Sequence, residues 1–548
     1  MLLQNKDIVP VSDLQAHAEG TGALRSQIPL YVDMLPPCNQ ACPAGENIQA
    51  WLGLAQDGQY EAAWQKLIEE NPLPAVHGRV CYHPCEDHCN RSQVDSPVSI
   101  HAVERFLGDK ALKENWQIQF NTQNSGKKVL IIGGGPSGLS AAYHLRRAGH
   151  AVEIREAGPM LGGMMHFGIP PYRLPRMTLD AEIQRIVNMG ITVRLQYKVT
   201  DVAREKADGN FDAVFIAIGA HLSKKIDIPS RDAGQILDAL TFLKEAESGQ
   251  IPKLGRRLAV YGAGNTAMDA ARVAKRLGYE PLIIYRRDRE HMPAHAFEAD
   301  EALAEGVKIN WLRTIKEMNE SSITVEIMQV NAAGKPEGTG TFETLEADAL
   351  ILALGQETDT GFLKNMAGIS FDADGTVKVG PDMMTGAEGV FAGGDMVPSE
   401  RTVTVAVGHG KKAARFMNAY LRGKPMVAQE KHPVVGFERL HVWYQTAAPQ
   451  QRQMQAEEAL RVQDFREVLE GLTEKEARYE AQRCLSCGNC FECDGCFGAC
   501  PESAVIKLGK GNRYEFDLER CTGCAVCYEQ CPCHAIEMIP DPKHQINQ

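Results

Sequence analysis

Three textures of apolar and polar positions follow one another along the chain. Between residues 34 and 125 apolar positions recur at helical spacing, as in IQAWLGLAQDGQYEAAWQKLIEE from Ile48, and predict a helical unit. From Lys127 to about residue 425 the texture changes. Short apolar runs such as VLII, AVEI, VFIAI and ALILAL are followed by glycine and then by longer amphipathic stretches. Strands alternating with helices in this way predict an α/β architecture with parallel sheets. Residues 430–475 are rich in Gln and Glu, and AEEALRVQDFREVLEGL, from Ala456, predicts a helix within a connector. Residues 1–33 read as a polar lead-in, and residues 484–540 are short-patterned and dense in cysteine.

A length of 548 residues allows three to four domains at ~150 residues each. With 58 basic and 70 acidic side chains the net charge is −12, which disfavours a nucleic-acid partner. The opening MLLQNKDIVPVSDL has no basic segment followed by an apolar core, and no run reaches the ~20 apolar residues of a membrane span. A cytoplasmic protein is expected. Sixteen cysteines are distributed unevenly: five lie from Cys38 to Cys89, eleven from Cys484 to Cys533, and none between. Closely spaced thiols in a reducing compartment bind metal more often than they pair.

Cys490, Cys493, Cys496 and Cys500 precede Pro501; Cys521, Cys524, Cys527 and Cys531 precede Pro532. Both sets spell C-x2-C-x2-C-x3-C-P at an offset of 31 residues, the bacterial ferredoxin pattern for two [4Fe–4S] clusters. The fourth cysteine of each run belongs to the other cluster. This assigns Cys490, Cys493, Cys496 and Cys531 to one cluster, and Cys521, Cys524, Cys527 and Cys500 to the other. Structural zinc, the alternative, prefers two separated pairs of ligands. Cys484, Cys487 and Cys533 are left over.

VLIIGGGPSGLSAAYHLRRAGHAVEIREA carries G-x-G-x-x-G at Gly133, Gly135 and Gly138, between a strand and a helix. The first glycine permits the tight turn, the second lets a pyrophosphate approach and the third lets the helix pack on the strand. Glu156, at the end of the next strand, is placed to hold ribose hydroxyls. RLAVYGAGNTAMDAARVAKRLGYEPLIIYRRDRE repeats the plan with Gly262, Gly264 and Ala267, but its second strand ends in Tyr285, Arg286 and Arg287. Arginine suits a 2′-phosphate, which favours NADP(H), with NAD(H) as the alternative if these arginines only cap a surface strand. Arg289 is a further candidate. An FAD site followed by a nucleotide site is supported by GVFAGGDMVPSERTVTVAVGHG. There Gly394 and Asp395 end a strand, and a helix follows Thr402, Val403 and Thr404. Asp395 can hold a ribityl chain and the helix N-terminus can stabilise negative charge on the flavin ring.

Together CNQACPAGENI, GRVCYHPCEDHC, SIHAVERF, GGGPSGLSAA, GGMMHFGIPPYRLP, GAGNTAMDAAR, YRR…MPA and AGGD…TV resemble the small (beta) subunit of glutamate synthase and its wider FAD/NAD(P)H iron–sulfur oxidoreductase family, over roughly residues 36–425. The fused ferredoxin is similar to the flavoprotein serving dissimilatory sulfite reductase. The resemblance implies a multidomain α/β protein with an N-terminal helical Fe–S domain (1–125). An FAD-binding domain follows in two parts (126–245 and 356–428), with an NAD(P)H-binding domain (246–355) inserted between them. Then come a connector (429–483) and a ferredoxin-like α+β domain (484–548). It adds Ser137, Gly163 and Arg173 to the residues at the flavin, and Asn265 and Thr266 to those at the second nucleotide. His166 lies near the flavin or serves packing alone.

By the same resemblance Cys42, Cys81 and Cys85 hold one cluster, with Glu104 as a non-cysteine fourth ligand or, alternatively, a solvated helix carboxylate. The family's usual R-C-x2-C element ahead of Cys38 is missing, and Ile28-Pro29-Leu30-Tyr31 stands in that region. YEAQRCLSC reads like that element moved to the other end of the chain, so Cys484 and Cys487 would complete a cluster with Cys38 and Cys89. If they are instead free thiols, three clusters remain rather than four. The expected activity passes electrons between NAD(P)H and a protein partner through FAD and [4Fe–4S] clusters, within a larger redox system. The partner would be a ferredoxin, or a complex like a sulfite reductase or a 2-oxoacid oxidoreductase, and an oligomer is expected. The alternatives are a stand-alone NADPH:ferredoxin oxidoreductase or a glutamate synthase small subunit. No catalytic acid–base residue is nominated, because hydride transfer between nicotinamide and flavin rests on positioning.

Overall fold

The computed structural model describes residues 25–120, 123–224, 226–230, 235–250, 253–427 and 431–542. The helical texture after residue 34 forms six helices: Pro37–Ala41, Ile48–Gln56, Tyr60–Ile68, Pro74–Val80, Pro84–Asp87 and Ile100–Lys113. Trp51, Leu52, Leu67, Val103 and Leu107 form their shared core. Three of these helices begin with proline, whose fixed φ suits a first helical position. Two of them stop at a cysteine: Cys42 and Cys81 are extended C-caps, so their thiols leave the helix axis beside Cys85.

A parallel five-stranded sheet follows, in the order Val390–Ala392, Ala213–Ile216, Lys128–Ile132, Ala151–Arg155, Thr192–Arg194. Val129, Leu130 and Ile131 are fully buried, because helices cover both faces of a parallel sheet. The 19-residue helix Val403–Leu421 packs along Pro136–Arg147. Contact is backbone-close at Gly410, where an added Cβ would stand 2.2 Å from the Ser137 carbonyl oxygen. At Gly408 the same helix meets the Pro43 carbonyl oxygen just as tightly, at 2.1 Å, so it is also docked on the segment after Cys42.

The second parallel sheet runs Lys308–Asn310, Glu280–Ile284, Arg257–Tyr261, Ala349–Leu352, Gln235–Asp238. A three-stranded antiparallel sheet, Arg313–Met318, Ser322–Val330 and Pro336–Glu346, flanks it. All strands of this second unit fall between two neighbouring strands of the first. The chain crosses between the units at Leu222–Ser223 and Gln356–Glu357, which pair antiparallel.

Three sequence expectations are corrected. The boundary expected at 245/246 cuts the second sheet, because Gln235–Asp238 pairs with Ala349–Leu352 and the helix Ala239–Glu247 buries Phe242 and Leu243 in the second core. The glycine motif marks only the first β-turn-α of such a unit, so an edge strand contributed from before it carried no signal. The polar lead-in ends, from Arg25 on, in a structured and partly apolar segment: Gln27–Tyr31 pairs antiparallel with Ile536–Pro540, Ile28 is buried, and Arg25 forms a buried ion pair with Asp541 at 2.6 Å. The connector helix expected over 456–472 shrinks to Glu458–Arg461. Tertiary contacts override its propensity. Val468 enters the second core while its N–H donates to the Tyr172 carbonyl, and Glu467 pairs with Arg79 and Arg105. The connector becomes a strap across the helical unit, ending in Glu474–Gln482, which Thr473 and Glu476 start with a capping box.

Candidate functional site

At the first nucleotide turn the three glycines do different things. Gly133 has φ +104°, and a Cβ there would lie 2.3 Å from the Ala217 carbonyl oxygen; at Gly138 it would lie 2.0 Å from the Gly133 carbonyl oxygen. These two are needed by the protein itself. At Gly135 an added Cβ meets nothing within 4 Å. The position faces open space at the N-terminus of Pro136–Arg147, which is the fit a dinucleotide pyrophosphate requires. Gly163 abuts it, with an added Cβ 3.0 Å from Gly135 Cα, and Gly394 abuts Ser137. Ser137 is buried and its Oγ lacks a hydrogen-bond partner among the described residues. Glu156 accepts from the Gly134 and Gly158 N–H groups at 2.7 and 2.6 Å, which fixes its carboxylate at the strand end. Burial pushes Asp395 up to about 6. Thr402 caps Val403–Leu421 by accepting from the Val405 N–H at 3.2 Å, so the helix N-terminus opens beside Asp395 and Gly394. Thr404, the second residue of that helix, lies against Cys81.

The second turn repeats the first. Gly262 has φ +136° with Ala353 O 2.3 Å from an added Cβ, while Gly264 is open, its nearest atom being Pro293 Cγ at 3.9 Å. Ala267 is buried where the third glycine stood, and Thr266 is half-buried. Asn265 Nδ2 donates to Tyr82 Oη at 2.6 Å, and Tyr82 stacks on His295 with centroids 3.7 Å apart. That contact from the helical unit left no sequence signal beyond an aromatic residue after Cys81. Arg286 is exposed at the strand end and Arg287 is half-buried with its Nε unpartnered among the described residues. Arg289 instead pairs with Asp300. Arg173, expected at the flavin, is held between Asp269 at 2.8 Å and Glu298 at 2.6 Å, and so ties the first unit to the helix Asn265–Arg276 of the second. His166 packs on Gly162 and bonds Asp180 at 2.8 Å.

The cysteines gather in four groups. Cys42, Cys81 and Cys85 neighbour one another, and Glu104 neighbours Cys42 and Cys81. Glu104 is 5% exposed, so the solvated reading fails; Asn71 Nδ2 donates to its Oε1 at 2.8 Å and to Glu46 Oε1 at 2.9 Å. Burial and neighbouring acids raise Glu104 well above the usual carboxylate range and push Cys81 up to about 12. Cys38 neighbours Cys89, Cys484 and Cys487. Burial pushes Cys484 up to about 11 and Cys487 up to about 12. Thiols buried in this way become thiolates only with positive charge beside them, which a metal cluster bound by this donor set would supply. The preceding Arg483 is buried and anchored to Asp95 at 2.9 Å and Glu480 at 2.8 Å, and this presents Cys484 to Cys89. Further on, one cavity is lined by Cys490, Cys493, Cys496 and Cys531, and another by Cys500, Cys521, Cys524 and Cys527. Each draws its fourth cysteine from the other repeat. Cys533, without a role in the sequence reading, lines the first cavity.

Two nucleotide-binding units, one inserted in the other, with thiol groups on both sides, define a flavin-dependent NAD(P)H oxidoreductase carrying 4Fe–4S domains. Residues 127–410 match the pyridine nucleotide-disulphide oxidoreductase family, and the chain belongs to it. Residues 33–116 match dihydropyrimidine dehydrogenase domain II, 4Fe–4S cluster, and residues 514–537 a 4Fe–4S binding domain. The chain is 37% identical over 503 residues to the NADP(+)-dependent formate dehydrogenase subunit beta of Moorella thermoacetica, covering 82% of this chain and 70% of that protein. It is 33% identical to the NADPH-Fe(3+) oxidoreductase subunit beta of Geobacter sulfurreducens, over 82% of this chain and 75% of that one. With the glutamate synthase [NADPH] small chain of Escherichia coli it shares 31% over 69% of this chain and 87% of the other. Among the described residues no helix is long and apolar enough to cross a membrane.

Proposed function

We propose that this chain is the electron-transfer subunit of a larger redox assembly, moving electrons between NADPH and a protein partner through FAD and four [4Fe–4S] clusters. The observation that carries this reading is the unbroken succession of the sites. Thr404 at the flavin-side helix end touches Cys81, and Cys85 neighbours both Cys42 and Cys38. Cys38 neighbours Cys484 and Cys487, and Gly488 donates its N–H to the Cys533 carbonyl at 2.6 Å in the next cavity. Cys496 in turn neighbours Cys527 of the last cavity. A small organic substrate would not call for so long a row.

Bound flavin exchanges electron pairs with nicotinamide and single electrons with iron–sulfur clusters. The chain's residues bind and orient. Gly133, Gly135, Gly138, Ser137 and Gly163 would form the flavin pyrophosphate cradle, with Glu156 at the ribose and Gly394, Asp395 and Thr402 to Thr404 along the ribityl chain and ring. Gly262, Gly264, Asn265, Thr266 and Ala267 would cradle the second nucleotide, whose 2′-phosphate would meet Arg286 and Arg287. Cys42, Cys81, Cys85 and Glu104 would hold the first cluster. Cys38, Cys89, Cys484 and Cys487 would hold the second, and the two C-terminal cavities the third and fourth. Relatives named as beta subunits of an NADP(+)-dependent formate dehydrogenase and an NADPH-Fe(3+) oxidoreductase support a subunit role, with a ferredoxin or a sulfite reductase-like or 2-oxoacid oxidoreductase-like complex as candidate partners.

The test is anaerobic reduction of the purified chain by NADPH and by NADH, with iron counted and a viologen dye as acceptor. Rapid NADPH-driven dye reduction with flavin and about sixteen irons is expected for four clusters. Reduction by NADH alone would overturn the roles of Arg286 and Arg287. An unchanged iron content in the Cys484→Ser, Cys487→Ser double variant would overturn the fold-back cluster.

A further inference from the structure

The C-terminal repeat carries its own internal control. Ala504 donates its N–H to Cys500 Sγ and Ala535 donates to Cys531 Sγ, both at 3.3 Å. Ser503 and His534, 31 residues apart, both take positive φ, 48° and 56°. The two loops therefore correspond residue by residue. Two positions beyond the fourth cysteine they diverge. The first repeat has Glu502, exposed at the rim of the cavity lined by Cys500, Cys521, Cys524 and Cys527. The second has Cys533, 2% exposed, lining the cavity with Cys490, Cys493, Cys496 and Cys531. Its Sγ is 3.8 Å from Cys531 Sγ, and the Gly488 N–H holds its carbonyl at 2.6 Å.

We propose that Cys533 is a positioning residue whose thiol donates a hydrogen bond to the Cys531 sulfur and raises the reduction potential of the cluster in that cavity above that of its twin. This rests on the reading that Cys490, Cys493, Cys496 and Cys531 hold a [4Fe–4S] cluster. A ligand cysteine is a thiolate and has no proton to give. In a pair of sulfurs within hydrogen-bond distance the proton therefore sits on Cys533 and points at the ligand. A donor to a cluster sulfur stabilises the more negative, reduced form, and hydrogen bonding to the sulfurs is one of the determinants of cluster potential. The thiol cannot turn to water, because it is buried and its backbone is held by Gly488. At the twin position stands Glu502, whose exposed carboxylate is screened by solvent and has no sulfur to set beside the ligand. One register position thus sets two nearly symmetric sites apart.

The experiment is an EPR-monitored redox titration of the anaerobically purified full chain, wild type against Cys533→Ala and Cys533→Ser, with iron and flavin counted. The expected result is full iron and flavin in both variants. In Cys533→Ala one cluster's midpoint moves to lower potential, and in Cys533→Ser, which keeps a donor, it stays nearer the wild type. An unmoved midpoint at full iron would overturn the proposal and leave the thiol a packing residue. Loss of iron in both variants would make Cys533 structural and overturn it as well. Retention of iron in Cys531→Ala but not in Cys533→Ala would make Cys533 the ligand. A wild-type chain with no cluster in this cavity would instead refute the assignment on which the proposal stands.

Discussion

The two nucleotide turns are close copies in their backbones and opposites at one side-chain position. Gly133 and Gly262 both hold positive φ, and in each an added Cβ would stand 2.3 Å from a carbonyl oxygen of a neighbouring strand's end, Ala217 or Ala353. Gly135 and Gly264 both face open space. At the end of the second strand, however, one unit carries Glu156, bonded to two backbone N–H groups, and the other carries the exposed Arg286 and the half-buried Arg287. Recognition of the common pyrophosphate is thus written in backbone, where there is little freedom. On the proposed assignment, recognition of the particular nucleotide is left to the strand end, where substitution is cheap for the fold.

The largest expected effect breaks the shared part. Gly138→Ala drives a Cβ to 2.0 Å from a backbone carbonyl oxygen, and a loss of about 3 kcal/mol or more, read in chemical denaturation, should accompany loss of flavin. Next, Arg286→Ala with Arg287→Ala separates the two units. The KM for NADPH should rise about 10–100-fold, as for loss of charge-assisted hydrogen bonds, with KM for NADH and flavin content unchanged. Gly135→Ala sharpens the distinction between glycines kept for the protein and for the ligand. Denaturation should match the wild type, while flavin affinity falls about tenfold, measured by flavin release.

The smallest effect concerns Asp395. Burial raises its pKa from 3.8 to about 6, so ionisation is penalised in the folded, flavin-free protein. The penalty is absent below about pH 4 and complete above about pH 6, and stability falls as pH rises through that window. Since the side chain is only partly shielded from solvent, Asp395→Asn should stabilise the flavin-free protein by on the order of 1 kcal/mol at pH 7 and by nothing at pH 4, measured by thermal melts at both values.

Much of this was legible in the sequence because the chemistry is local. The glycine turns, Glu156 and the two C-x2-C-x2-C-x3-C-P runs lie within short segments whose spacing dictates geometry. What stayed hidden depends on distant partners. Nothing in QILD announces an edge strand, since its partner Ala349–Leu352 lies more than a hundred residues on. The helical pattern after Ala456 is real, but Val468 and Glu467 gain more from the second core and from Arg79 than from a helix. Arg173 has the chemistry of a phosphate ligand, and only the tertiary structure shows it committed to Asp269 and Glu298. Glu104 reads in the sequence as a cluster ligand or a solvated helix carboxylate, and only its burial beside Asn71 removes the second reading. Cys533 was a leftover because its meaning lies in comparison with Glu502, a residue with no cysteine chemistry of its own.

The pairing of Gln27–Tyr31 with Ile536–Pro540, together with Cys38 and Cys89 lying against Cys484 and Cys487, has a consequence for biogenesis. Roughly 400 residues separate Cys89 from Cys484, which a ribosome adding ~5–20 residues per second needs on the order of 20–80 s to make. Through that interval the early thiols wait without their partners, exposed to oxidants and to stray metal. The cluster proposed for these four cysteines can be completed only after both segments have been made.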